Sequence, residues 1–343
     1  MPDLIGTTTA AGWTVTEKVK FPVDHTGGHF SECFLVERGN DKAFLKVIDI
    51  TKLSDVAELL AGLSAFSYET SLATHTTNLK LSRVISLLES GQLEVDPNNP
   101  VAVLRKLPYL VFERGVGDIR STVDVSKLVS NRWRFCVLHR AAMGLMQLHG
   151  SGIAHQDLKP SNIIQMVADD LKVGDLGRSS MRGQAAPHDV LSVAGALSYA
   201  PFELTYGYLL PDWMERRIAT DVFHIGCLAV FVFTNVVLPG YVFSRLDPIY
   251  HPDQWGDPYG GVIPHLTASL QTSVQEISQD FPQEFRAELV SLVLDLCNPD
   301  PLKRGHRQGT GALAGTKLWL QKFVSRFDLL EKRAAVLDRT KNA

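Results

Sequence analysis

Residues 155–162 read HQDLKPSN, and thirteen residues after Asn162 comes Asp175, in VGDLG (173–177). A carboxylate, a lysine two positions on, an amide three further and then a second carboxylate form a phosphoryl-transfer pattern. One carboxylate orients an attacking hydroxyl and accepts its proton, while the amide and the second carboxylate supply hard oxygen donors for Mg²⁺. Little covalent chemistry falls to the protein in such a reaction, so position and charge carry the catalysis.

Outward from this stretch the chain divides in two. Upstream it reads as strands: residues 13–21 (WTVTEKVKF), 33–37 (CFLVE) and 43–48 (AFLKVI), the first two joined by the glycine-containing turn HTGGHFSE (25–32). A helical stretch follows to about Thr70. Strands at 92–95 and 101–104 flank the turn DPNNP, and YLVF (109–112) is a further buried strand. Downstream the spacing predicts helices over 131–150, 221–235 and 285–298. Strands first and helices after predict an α+β chain of two lobes with the boundary near 113–118.

With these motifs in order, the chain resembles the eukaryotic-type protein kinases over roughly residues 12–312. HQDLKPSN resembles H-R-D-L-x-x-x-N, and DLG (175–177) resembles D-F-G. YAPFE (199–203) resembles the A-P-E segment, and DVFHIGC (221–227) the long central helix whose first Asp ties down the catalytic loop. The resemblance implies a two-lobed kinase fold with a β-rich small lobe over 12–113 and a helical large lobe over 118–312; outside it lie a tail over 1–11 and, from the apolar spacing, an amphipathic helix over 313–343. It implies a serine/threonine protein kinase using ATP and Mg²⁺ on a protein substrate. A nucleotide-binding scaffold without catalysis and a small-molecule phosphotransferase are the alternatives, the latter opposed by YAPFE, Asp221 and Arg304.

Carried over residue by residue, the resemblance makes Asp157 the catalytic base and Lys159 the cation on the transferring phosphate. Asn162 and Asp175 bind metal. Lys46 contacts the phosphates of ATP, paired with Glu69 or, as runner-up, Glu58. Backbone groups near Glu113 and Gly115 face adenine behind Phe112, with Ile164 below the base and Cys33 beside it. His155 is expected to pack and hydrogen-bond, and Glu203 to pair with Arg304.

The sequence departs from the family at several positions. The three glycine positions of the phosphate-covering turn fall on Thr26, Gly28 and Ser31, with Gly27 adjacent. That spacing predicts a stiffer lid. Phe44 stands where a small alanine is usual, on the face of Lys46, and either stacks on the base or crowds it. Gln156 replaces the arginine that answers a phosphate on the activation segment, which argues against control by phosphorylation there. Leu176 replaces Phe in D-F-G, and Ala196 stands where a threonine is common. Ser179, Ser180, Ser192 and Ser198 are candidate modification sites in that segment.

Composition sets limits. With 34 Lys+Arg against 37 Asp+Glu the net charge is −3, which speaks against a polyanion binder such as a nucleic-acid protein. Hydrophobic residues at 45% argue against disorder. The four cysteines are scattered without a C-x-x-C, as expected for reduced thiols in a cytoplasmic protein. The N-terminus does not read as a signal peptide. The apolar run 225–233 (IGCLAVFVF) falls short of the roughly 20 residues of a membrane span and reads as a buried helix. From Leu320 to Leu337 apolar residues recur every three or four positions, one helical stripe expected either to dock on the chain's own large lobe or to bind a partner or second copy.

Overall fold

The computed structural model describes residues 3–20, 31–94, 106–125, 129–167, 170–305 and 320–341. The small lobe is one antiparallel sheet in the order β1-β2-β3-β5-β4, built from β1 (Thr14–Lys18), β2 (Ser31–Arg38), β3 (Asp41–Ile48), β4 (Leu87–Glu94) and β5 (Lys106–Glu113). The helix α1 (Val56–Asn78) crosses between β3 and β4. Alternation along β3 puts Ala43, Leu45 and Val47 into one core. Phe44 and Lys46 lie on the opposite face. Lys46 there stands opposite Cys33 and Leu110, and Phe44 opposite Leu35 and Phe112.

Helix α1 begins on a reciprocal cap. Asp55 accepts from the Glu58 N–H at 2.8 Å, and Glu58 reaches back to the Ser54 N–H at 2.8 Å. The helix continues past the expected end at Thr70 to Asn78, because Leu72, Ala73 and Thr76 are buried and their packing outweighs weak local propensity. Strand β4 begins at Leu87, earlier than the expected residue 92; the turn at 96–100 and the strand expected at 101–104 lie outside the described residues. Residues 3–11, within the stretch expected as a tail, pack on the sheet: Leu4 is buried, and Thr9 Oγ1 and the Ala11 N–H both donate to the Glu89 carboxylate.

The chain enters the large lobe through β6 (Gly117–Asp118) and α2 (Ile119–Val125), then α3 (Asn131–Gly150), which spans the residues expected of it. Short strands β7 (Ile153–Ala154), β8 (Ile163–Gln165), β9 (Leu171–Val173) and β10 (Ser180–Met181) carry the catalytic loop and the segment after Asp175. Next come α4 (Phe202–Thr205), a π-helical turn (Met214–Ile218), α5 (Ala219–Thr234), α6 (Leu238–Phe243), α7 (Tyr259–Ile277), α8 (Arg286–Leu296) and α9 (Gln321–Lys341).

The stretch Met214–Thr234 is long and apolar enough to cross a bilayer, yet 94% of its most apolar window is buried inside the fold. It is the core helix around which the large lobe packs. Helix α7 has no counterpart in the sequence reading: two glycines near its start and Pro264 inside it mask a helical pattern that tertiary packing nevertheless enforces. Leu320, just before α9, and Phe323, Phe327, Leu330 and Ala334 on it are all buried, and the helix lies along α3. The stripe is therefore covered by the chain's own lobe, the first of the two expected arrangements.

Candidate active site

The catalytic loop follows α3 and β7, and α5 holds it from below. Asp221, fully buried at the start of α5, accepts the His155 N–H at 2.8 Å and the Gln156 N–H at 2.7 Å, and bonds His149 Nε2 at 2.8 Å. Burial alone would raise the Asp221 carboxyl, but these contacts, led by the bond to His149, hold it below its ordinary range. Satisfying two backbone donors this way lets Gln156 sit at φ 62° inside a buried turn. His155 is fully buried and bonds the Gly174 carbonyl through Nε2 at 2.9 Å, while its Nδ1 accepts the Asp157 N–H at 3.2 Å. It is a packing and hydrogen-bonding residue, tying the loop to the strand before Asp175.

The four residues of the middle motif converge. Lys159 Nζ donates to Asp157 Oδ2 at 2.9 Å. Asn162 Nδ2 donates to the Asp157 carbonyl at 2.7 Å, which among the described residues leaves its Oδ1 with a 3.4 Å contact from the Ser161 hydroxyl. Asp157 Oδ1 accepts the Ala196 N–H at 2.7 Å. The missing threonine hydroxyl at position 196 is thus replaced by a backbone donor. That approach requires glycine before it: a Cβ at Gly195 would lie 2.5 Å from the Gln156 carbonyl oxygen and 2.6 Å from Asp157 Oδ1.

Across the cleft, Lys46 Nζ lies 2.7 and 2.9 Å from the two Glu69 oxygens and 3.2 Å from Asp175 Oδ1. Glu69, not Glu58, is the partner; Glu58 is committed to the start of α1. Burial alone would depress the Lys46 ammonium, but Asp175 and Glu69 outweigh it, and Lys46 stays protonated. Asp175, chiefly through Lys46, is held well below the usual carboxylate range. It adopts φ 58°, which turns its carboxylate into the cleft. With one Asp175 oxygen on Lys46, the other and Asn162 Oδ1 offer hard oxygen donors suited to Mg²⁺.

The remaining expected residues fall as follows. Cys33 is buried beside Lys46, its thiol pushed up to about 12 by burial, so it is an inert lining group. Ile164 lies under Gly115, where a Cβ would meet its side chain at 2.2 Å; only glycine lets the segment between β5 and β6 pass this close. Glu113 serves the fold: its N–H donates to the Ser86 carbonyl at 3.0 Å, and its carboxylate holds Lys172 at 2.7 and 2.8 Å. Its backbone N–H is therefore engaged within the protein, and the expected contacts to adenine fall to other backbone groups of the 113–115 segment. Phe44 is half-buried on the cleft face. Thr26, Gly27 and Gly28 lie outside the described residues, and Ser31 opens β2. Of the four candidate modification sites, Ser179 and Ser180 are buried and Ser192 and Ser198 exposed.

A family model described as a protein kinase domain matches residues 27–308. This chain belongs to the protein kinase family. A probable cell division protein kinase of Encephalitozoon cuniculi is 29% identical over 204 residues, 57% of this chain and 61% of that protein. The stress-activated protein kinase JNK of Drosophila melanogaster is 26% identical over 51% of this chain and 43% of its own length. Mitogen-activated protein kinase 5 of Arabidopsis thaliana is 24% identical over 57% and 52%. The chain spans about half the length of these curated relatives. Members of the kinase family generally use ATP and Mg²⁺. The two-lobed α+β architecture agrees with the family. So does the bidentate Arg304–Glu203 pair at 2.7 and 2.6 Å, which joins the segment after α8 to α4.

Residues that the sequence reading missed are those whose partners are remote in the chain. Arg217, on the π-helical turn, bonds Gln156 and Asp189, 61 and 28 residues away. The Ala196 N–H reaches Asp157 across 39 residues. A backbone donor carries no side-chain signature, and one of two adjacent arginines in MERRI (214–218) has no motif to mark it.

Proposed function

We propose that this chain is an active serine/threonine protein kinase that transfers the γ-phosphate of MgATP to hydroxyls of a protein substrate. The observation that carries the proposal is Lys46 held at once by Glu69 and Asp175 above an assembled Asp157, Lys159 and Asn162. When bound, MgATP supplies the phosphoryl group and the metal charge. Lys46 orients the phosphates, Asn162 and Asp175 hold the metal, and Lys159 offsets charge on the transferring group. Asp157 accepts the proton of the attacking Ser or Thr hydroxyl. Four free cysteines, three of them buried, support a reducing cytoplasmic setting. Labelled ATP with a generic basic protein is expected to give phosphoserine or phosphothreonine, and Asp157→Asn to abolish it.

A second reading, a nucleotide-binding scaffold, draws on two observations: Phe44 lies on the cleft face, and both Asp157 oxygens already have donors in Lys159 and Ala196. A carboxylate has about four lone-pair sites, so an incoming hydroxyl still finds one, and the active reading is preferred. Millimolar MgATP is expected to raise the melting temperature by mass action. No shift together with no transfer favours the scaffold.

A further inference from the structure

Gln156 sits at the centre of a buried relay. Its Nε2 donates to the Arg178 carbonyl at 3.0 Å and to Ser180 Oγ at 2.5 Å, both in the segment after Asp175. Its Oε1 accepts from Arg217 Nη1 at 2.5 Å. Arg217 Nη2 then donates to Asp189 Oδ1 at 2.5 Å, and Asp189 Oδ2 accepts the Ala186 N–H at 2.7 Å. Arg217 is 5% exposed, so this guanidinium must be balanced within the protein. Beside Asp189, His188 is buried against the ring of Tyr68 on α1, and the Tyr68 hydroxyl accepts the Met181 N–H at 2.9 Å. The same stretch is thereby tied to the helix that carries Glu69.

We propose that Asp189 is a built-in anion that locks the activation segment to the catalytic loop through Arg217 and Gln156, so that the active arrangement needs no phosphate on this segment. The charge count supports this. Arg217 lies between Asp189, its one carboxylate partner, and the neutral Gln156, while the neighbouring Arg216 adds a second positive charge near Asp189. An arginine at 156 would add a third cation and call for a doubly charged group such as a phosphate. Glutamine both donates to the segment and accepts from Arg217, which an arginine, with no acceptor, does not do. Ser180 contributes its hydroxyl to the relay from a buried site, so it acts as a structural member and not as a phosphate acceptor. Asp189, Arg217 and Gln156 are positioning residues: none of them touches the reacting atoms.

The inference deepens the kinase reading, which it assumes, and its test separates the two. Phosphatase-treated full-length protein, checked for absence of phosphate by intact mass, is compared with Asp189→Asn, Asp189→Glu and Gln156→Arg by hydrogen exchange over residues 178–200. Protection is expected in the unphosphorylated wild type. Asn, which keeps the shape but loses the charge, is expected to exchange about tenfold or more faster there, as does Gln156→Arg, while Glu stays near wild type. An unprotected segment in the unphosphorylated wild type, or equal exchange in wild type and Asp189→Asn, overturns the lock whatever the activity. In parallel, phosphatase treatment is expected to leave kcat/KM unchanged, and a loss on treatment overturns the proposal while upholding the kinase reading. MgATP stabilisation measured on the same samples tests nucleotide binding separately.

Discussion

Two ion-paired clusters in this molecule use similar charges to opposite ends. Arg304 and Glu203 form a closed unit: the arginine is 0% exposed, forks onto both carboxylate oxygens, and gives two further donors to the carbonyls of Ala219 and Asn298 at 3.2 and 3.1 Å. One cation meets one anion, four of the five guanidinium N–H groups are engaged, and the pair is closed off from solvent. Lys46 is a compact ammonium shared between Glu69 and Asp175, and the outer carboxylate is 37% exposed to the cleft. One cation meets two anions, leaving a local excess of negative charge on the solvent side. Such a cluster is unfinished without a further cation, as expected where a metal and phosphates enter together. Geometry and charge balance, more than charge content, separate a structural pair from a working one.

Breaking the closed pair is expected to have the largest effect on stability. Arg304→Met leaves a buried carboxylate without its partner and is expected to cost about 3–5 kcal/mol in urea unfolding; adding Glu203→Leu should recover most of it. Lys46→Met is expected to act the other way round, lowering kcat/KM by about 100-fold. Its stability cost should be smaller, because Glu69, whose carboxyl burial already raises, takes up a proton more readily. Equal stability losses in Arg304→Met and Lys46→Met would contradict the contrast.

Acid sharpens it further. Burial lowers His188 and His224 to about 4, so below pH 6.5 the unfolded chain binds protons that the folded chain refuses. Stability is full above pH 6.5 and falls as pH drops toward 4, by about 1.4 kcal/mol per histidine at pH 5.5. Asp175, held well below the carboxylate range, keeps its charge throughout that window, whereas Glu69, raised above its ordinary value by burial, is the member of the Lys46 cluster expected to protonate first. His188→Asn is expected to remove about half the slope in pH-dependent unfolding. The smallest effect belongs to Glu58→Gln, which weakens one helix cap and is expected to cost about 0.5–1 kcal/mol without changing kcat.

The contrast also explains what the sequence revealed. Asp157, Lys159, Asn162 and Asp175 were legible because they sit on short loops between apolar strands, where spacing alone places side chains together. Lys46 was legible only through the resemblance to the family's strand lysine, and the choice between Glu69 and Glu58 needed only the helix phase that α1 supplies. Helix α3 was readable to its ends because Ser130 caps it, accepting the Trp133 N–H at 3.1 Å, and Gly152 turns beyond it at φ 73°. Helix α7 was hidden by Pro264, and the reach of α1 to Asn78 by residues of weak propensity that burial rescues. The relay through Arg217 depends on contacts 28 and 61 residues apart, which no local pattern encodes.

The unfinished cluster around Lys46 and the loop carrying Asp157 are expected to perform phosphoryl transfer together. Single-turnover transfer from γ-labelled MgATP to a basic protein acceptor, wild type against Asp157→Asn with MgATP binding checked in both, tests it most directly. Transfer to Ser or Thr is expected of wild type, and a loss of about 1,000-fold or more in the variant, with nucleotide binding retained. Equal transfer by the two proteins, or none by a wild type that binds MgATP, would contradict it.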